Sequence, residues 1–112
     1  MSDHDHIPAG FALTRTTEVF DHDTVPAGLL RAHRVADGVW GRLVVLDGTV
    51  RFVFEDAPDD PIVVASGGAV AIPPGRLHHV ELDGPARFAV EFYRPDAQAP
   101  GADDGLESTG LA

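Results

Sequence analysis

The chain has no cysteine and no lysine among its 112 residues, and only one tryptophan, one tyrosine and one methionine. Without cysteine there are no disulfides, thiolate zinc sites or thiol nucleophiles, so any metal ion must be held by imidazole and carboxylate. With every one of the eight basic residues an arginine, no lysine is present to form a Schiff base or act as a general base. No apolar run reaches the roughly 18 residues that a membrane span requires. The opening stretch MSDHDHIPAGFA has neither a basic n-region nor an apolar h-region. These absences predict a cytoplasmic protein with no membrane partner.

Positive charge is scarce, and the formal net charge is −10. Residues 1–24 carry five acids against Arg15, residues 96–112 carry four acids and no base, and the remaining nine acids face seven arginines in the middle. A phosphate backbone is repelled by this balance, so no nucleic-acid partner is expected. At this length one domain is expected, with a modest core. Composition divides it into a flexible N-terminal segment (1–10), a folded domain (11–95) and a disordered acidic tail (96–112) that has almost nothing to bury. His4 and His6 fall in the first of these, and Asp21–His22–Asp23 reads as a solvated loop.

The middle of the chain consists of strand-length runs: AGLLRAHRV, GVWGRLVVL, TVRFVFE, IVVAS, AVAIP, HHVEL and RFAVEFY. The separators ADG, LDGT, EDAPDDP, SGG, PPG and LDGPA are turn chemistry. No run sustains a helical period, so the domain is expected to be all-β. Alternation places Val50, Phe52 and Phe54 on one face. It also places His78 inward with Val80 and Leu82, and the adjacent His79 outward beside acids.

Gly67, five residues, Pro73, one residue, Gly75, two residues and His78 form a spaced pattern. That spacing resembles the second conserved motif of the cupins, with Leu82 where an Asn is often found. The first cupin motif is reduced: its usual pair of histidines one residue apart, followed by Glu, is absent, and the region offers His33, Trp40–Gly41 and Gly48. The runs TVPAGLLRAHRVADGVWGRLVVLDG, IPPGRLHHVE and FAVEFYRP are similar to the small tellurite-resistance-like (TehB/YeaR-like) cupins, over Phe11 to Pro95. The resemblance implies a double-stranded β-helix, the jelly-roll-like cupin barrel. It also singles out His33, His78 and Glu91, the last followed by Phe92 and Tyr93.

Two imidazoles and a carboxylate are the ligand set of a non-haem iron or zinc centre, and imidazole suits Fe, Zn, Ni and Cu alike. The expected cofactor is therefore one divalent metal ion on His33, His78 and Glu91. A redox metal would support oxygenase-type chemistry, and zinc would act as a Lewis acid. Parity argues against Glu91, because Phe88, Val90 and Phe92 form the apolar set of the last strand. Arg42 is a candidate partner for an anionic substrate, and Trp40 and Tyr93 are candidate substrate contacts, with barrel filling the other reading of Trp40. The expected function is a small metal-binding cupin that binds or transforms a small polar molecule, in a tellurite, oxyanion or oxidative-stress setting. The alternative is a metal-free ligand-binding or scaffold cupin. By analogy with small cupins, a homodimer is expected.

Overall fold

Glycine and proline turns cut residues 5–95, the part of the chain that the computed structural model describes, into seven strands. Residues 1–4 and the expected acidic tail 96–112 lie outside the described residues. The strands are β1 (Phe11–Thr16), β2 (Phe20–Asp21), β3 (Trp40–Phe54), β4 (Ile62–Ala65), β5 (Ala69–Ile72), β6 (His78–Glu81) and β7 (Ala86–Pro95), with one 3-10 turn at Ala27–Leu30. Every pairing is antiparallel, and the architecture is the all-β one that the sequence predicts.

Strand β3 belongs to both layers. Its first half pairs with β7 and β5, and β7 in turn carries β1 and β2. Its second half pairs with β4 and β6. LDGT was expected as a hairpin turn between two strands; instead it is the point where one continuous strand passes from sheet to sheet. The β3–β7 register slips between Val45 and Asp47, a bulge. Gly48 follows at φ 77°, and a Cβ there would lie 2.9 Å from Ala86 Cα and against the Pro85 carbonyl. Glycine is required at this corner both for its backbone angle and for the close approach of the neighbouring chain.

The run AGLLRAHRV departs from expectation too. It is not a strand: Pro26 opens the 3-10 turn, with Leu29 N–H donating to Pro26 O at 2.9 Å. The chain then extends only far enough for a single antiparallel bridge between His33 and His78, with bonds of 2.9 and 2.8 Å. Strands β1 and β2 carried no readable alternation, because all of β1 after Phe11 is exposed along the sheet edge.

The core lies between the layers. Leu43, Val45, Val50, Phe52, Val70 and Phe88 are essentially inaccessible, each contributing about 1.5–3 kcal/mol of burial. Val50, Phe52 and Phe54 share the inner face, as alternation requires, and His78 and Val80 lie on it from β6.

Candidate functional site

The Pro73–Pro74–Gly75 turn places His78 at the first position of β6. Gly75 sits at φ 74° and its N–H donates to Val35 O at 3.1 Å. Together with the His33–His78 bridge, this bond ties the turn to the segment carrying His33. The two imidazoles meet edge to face with centroids 4.2 Å apart. The His78 ring also stacks on Phe52 at 5.0 Å and is only 2 % exposed, making it the one buried polar residue among the described residues.

Each ring is held by its own strand. Nδ1 of His78 donates to Arg76 O at 2.8 Å, and Nδ1 of His33 donates to Arg31 O at 3.0 Å. A carbonyl oxygen only accepts, so Nδ1 carries the proton in both rings and a neutral ring keeps its lone pair on Nε2. Among the described residues, no side chain or backbone group bonds to either Nε2. Burial pushes His78 down to about 4, against the opposing effect of its bond to the Arg76 carbonyl, so the ring is neutral at ordinary pH.

Both histidines line a pocket of about 340 Å³ between the sheets, a size within the range of small-molecule sites. Its walls are apolar, including Phe20, Leu43, Ile72, Val80, Val90 and Phe92. Among the described residues no Asp or Glu lines it, but Arg15 and Arg34 do, both of them exposed. The Arg15 guanidinium lies 5.1 Å from the centroid of the Phe92 ring, a cation–π contact. Among the described residues neither arginine makes an ion pair, whereas Arg42, Arg51 and Arg76 all do. In a chain of net charge −10, the lining of this pocket holds two arginines, of which Arg34 also borders an adjoining groove beside Glu55 and Asp56.

The register of β3 on β7 removes Glu91 from this site. Arg42 stands opposite Glu91 and Trp40 opposite Tyr93, while Leu43 and Gly41 stand opposite Val90 and Phe92. The second set faces the pocket, so the first faces out. There Arg42 Nη1 donates to Glu91 Oε1 at 2.9 Å, Arg42 Nε to Asp5 Oδ1 at 2.6 Å, and Tyr93 OH to Glu91 Oε1 at 2.7 Å. The bond to Asp5, then that to Glu91, raises Arg42 further above its ordinary value; burial, then Glu91, raises Tyr93. Trp40 packs edge-on to Phe11 at 6.4 Å. The structure therefore brings His33 and His78 together but not Glu91, and it places Arg42, Trp40 and Tyr93 on the outer side of the sheet, away from the pocket.

His79 has a separate role on the opposite face of β6. Its Nδ1 pairs with Glu55 and its Nε2 with Glu81 at 2.8 Å. The bond to Glu55, then that to Glu81, raises its pKa, and with both nitrogens donating to carboxylates it has no lone pair for a ligand. Among the described residues the one His/Asp/Glu group compact enough for an ion is Asp21–His22–Asp23. Its Asp21 Oδ1 already accepts from the N–H groups of Asp23 and Thr24 at 2.8 and 3.0 Å, which makes it a turn device.

The family model described as a TehB-like domain matches residues 15–90. The chain belongs to the TehB-like family. Across 106 residues it is 29% identical to the uncharacterised protein YeaR of Escherichia coli (strain K12), covering 86% of this chain and 89% of that one. A crystal structure of a protein from the same strain superposes with a TM-score of 0.73 at 28% identity, over 81% of this chain and 98% of that one. TehB from Haemophilus influenzae shares the fold, with a TM-score of 0.70 at 21% identity over 78% of this chain and 32% of that longer one.

For a metal centre, the described residues of this TehB-like domain offer the two imidazoles and no third protein ligand in the pocket. The expected set of His33, His78 and Glu91 is not assembled among the described residues, and two arginines line the same space. The polar pocket residues missed from sequence include Arg15 and Arg34. A signal existed for one of them: Arg34 directly follows His33 in RAHRV. Arg15 reaches the pocket from an edge strand whose pattern carries no alternation.

Proposed function

We propose that this domain binds a small organic anion in the pocket between its sheets. The observation that carries this reading is the lining: among the described residues, two arginines without ion-pair partners, apolar walls and no acid. Unpaired guanidinium groups match a carboxylate or oxyanion, and the walls match an apolar body. A bare inorganic oxyanion such as tellurite would meet the arginines and leave the walls unused, so an organic anion uses more of the site. Titration with benzoate and with neutral benzamide tests the reading. Benzoate should bind more tightly, and the difference should vanish in the doubly substituted R15Q/R34Q protein; equal affinity of the two probes for the unmodified protein would refute it.

A second reading places one divalent ion on His33 and His78, with water or ligand completing its shell. It is favoured by the two rings held through Nδ1 on backbone carbonyls, the arrangement that leaves Nε2 as a metal donor. Such an ion would supply Lewis-acid or redox chemistry. Protein incubated with Zn²⁺ or Fe²⁺ and desalted without chelator should then keep about one equivalent, and His78→Ala should lose it.

A further inference from the structure

Resting on the reading of the pocket as an anion site, we infer that its ligand is a hydroxylated aromatic carboxylate, oriented with the hydroxyl inward on His78 and the carboxylate outward at Arg15 and Arg34. The pocket has a direction. Its lining runs from the exposed Arg15 and Arg34 through the half-buried His33 to the buried His78, whose ring packs on Phe52 and Phe54.

The inner end has an acceptor and no donor. Nδ1–H of His78 is committed to the Arg76 carbonyl, and Nε2 has no partner among the described residues in a ring that is 2 % exposed. A buried polar atom left unpaired is costly, and a ligand that pairs it gains accordingly. A carboxylate at this end would bring its lone pairs against that of Nε2, so it is excluded from the inner position. An ammonium would be desolvated among Phe52, Leu43 and Val80 with no acid lining the pocket. A neutral O–H satisfies Nε2 at neither cost.

The body between the two ends meets Phe20, Phe52 and Phe92 as well as aliphatic walls. A flat aromatic ring suits this lining through edge and offset contacts and carries no internal rotors to freeze. Hydroxyl, ring and carboxylate in line give the class.

Binding of 4-hydroxybenzoate, 4-methoxybenzoate, benzoate and p-cresol to the full chain, followed by amide chemical shifts around Thr17, Arg34, Val80 and Phe92, tests the inference. The expected result is that 4-hydroxybenzoate binds about ten- to a hundredfold more tightly than benzoate or 4-methoxybenzoate, which lack the donor. R15Q/R34Q should erase its advantage over p-cresol while keeping the hydroxyl preference. His78→Phe should erase the hydroxyl preference while keeping benzoate binding; if that variant does not fold, the ligand series on the unmodified protein decides alone. Benzoate or 4-methoxybenzoate binding in the pocket as tightly as 4-hydroxybenzoate overturns the ligand class and leaves the anion site standing. If p-cresol binds there as tightly as both acids, or if no probe shifts the pocket resonances, the anion reading itself falls and takes the inference with it.

Discussion

The burial of His78 should make the fold sensitive to mild acid, in a pH window where carboxylates contribute little. In the unfolded chain the ring titrates near 6.5, and in the fold burial lowers it to about 4. As pH falls the unfolded state takes up this proton first, so stability drops from about pH 6.5 downward and levels off below about 4. From about pH 7.5 to about pH 5 the linkage relation gives a loss of about 2 kcal/mol, and completing the transition brings it to about 3 kcal/mol. That is a sizeable share of the 5–15 kcal/mol typical of a domain. Urea unfolding of the unmodified protein and of His78→Phe at both pH values isolates the effect, since other groups titrate alike in the two. The unmodified protein should lose about 2 kcal/mol more than the variant over this interval. Parallel losses in both would show that His78 takes up its proton in the fold as readily as in the unfolded chain, and the account of a neutral, ligand-ready imidazole would fail.

His79 should act in the opposite direction. Its folded pKa is raised above 6.5 by Glu55 and Glu81, so its stabilisation is fully present below about pH 6.5 and lost as pH rises through the folded value. His79→Gln should therefore be less stable than the unmodified protein in mild acid and converge on it in alkali, as read by denaturant midpoints. At the sheet-crossing corner, Gly48→Ala should cost about 3 kcal/mol or more, because a Cβ meets the backbone of Pro85 and Ala86. Gly67→Ala, at φ 85° but with nothing within 4 Å, should cost only about 1–2 kcal/mol of backbone strain. Similar losses at the two positions in thermal melts would refute the close-approach argument.

What the sequence reveals of this fold follows one rule: alternation is legible wherever a strand buries a single face. Phe52 and Phe54, His78 and Val80, and the outward His79 could all be assigned from parity. Parity also kept Glu91 outside against the ligand set that the family resemblance implied, and the structure places it there. Three features were illegible for identifiable reasons. Asp47–Gly48 has hairpin composition, but a bulge between sheets uses the same positive φ as a turn, and only the partners of each half of β3 distinguish them. AGLLRAHRV has the composition of a strand, yet Pro26 starts a 3-10 turn and a single bridge to His78 is all the pairing it makes. Arg15 belongs to the pocket only because β1 slips register between Leu13 and Arg15, placing it opposite Phe92; its own stretch gives no hint of this.

The charge of the pocket is fixed by strand register and not by side-chain rotamers. Glu91 and Arg42 are directly opposed on β7 and β3 and neutralise one another on the outer face. Bringing the carboxylate inward to complete a metal site would require β7 to turn over by one residue. That shift would carry Phe88, Val90 and Phe92 out of contact with the core. At about 2 kcal/mol for each side chain, the cost is about 6 kcal/mol before Arg42 and Asp5 are counted, comparable with the whole stability of a domain this size. No modest adjustment supplies the missing acid. Among the described residues the pocket therefore keeps two imidazoles inside, two arginines in its lining and no acid, the arrangement on which the proposed anion site rests.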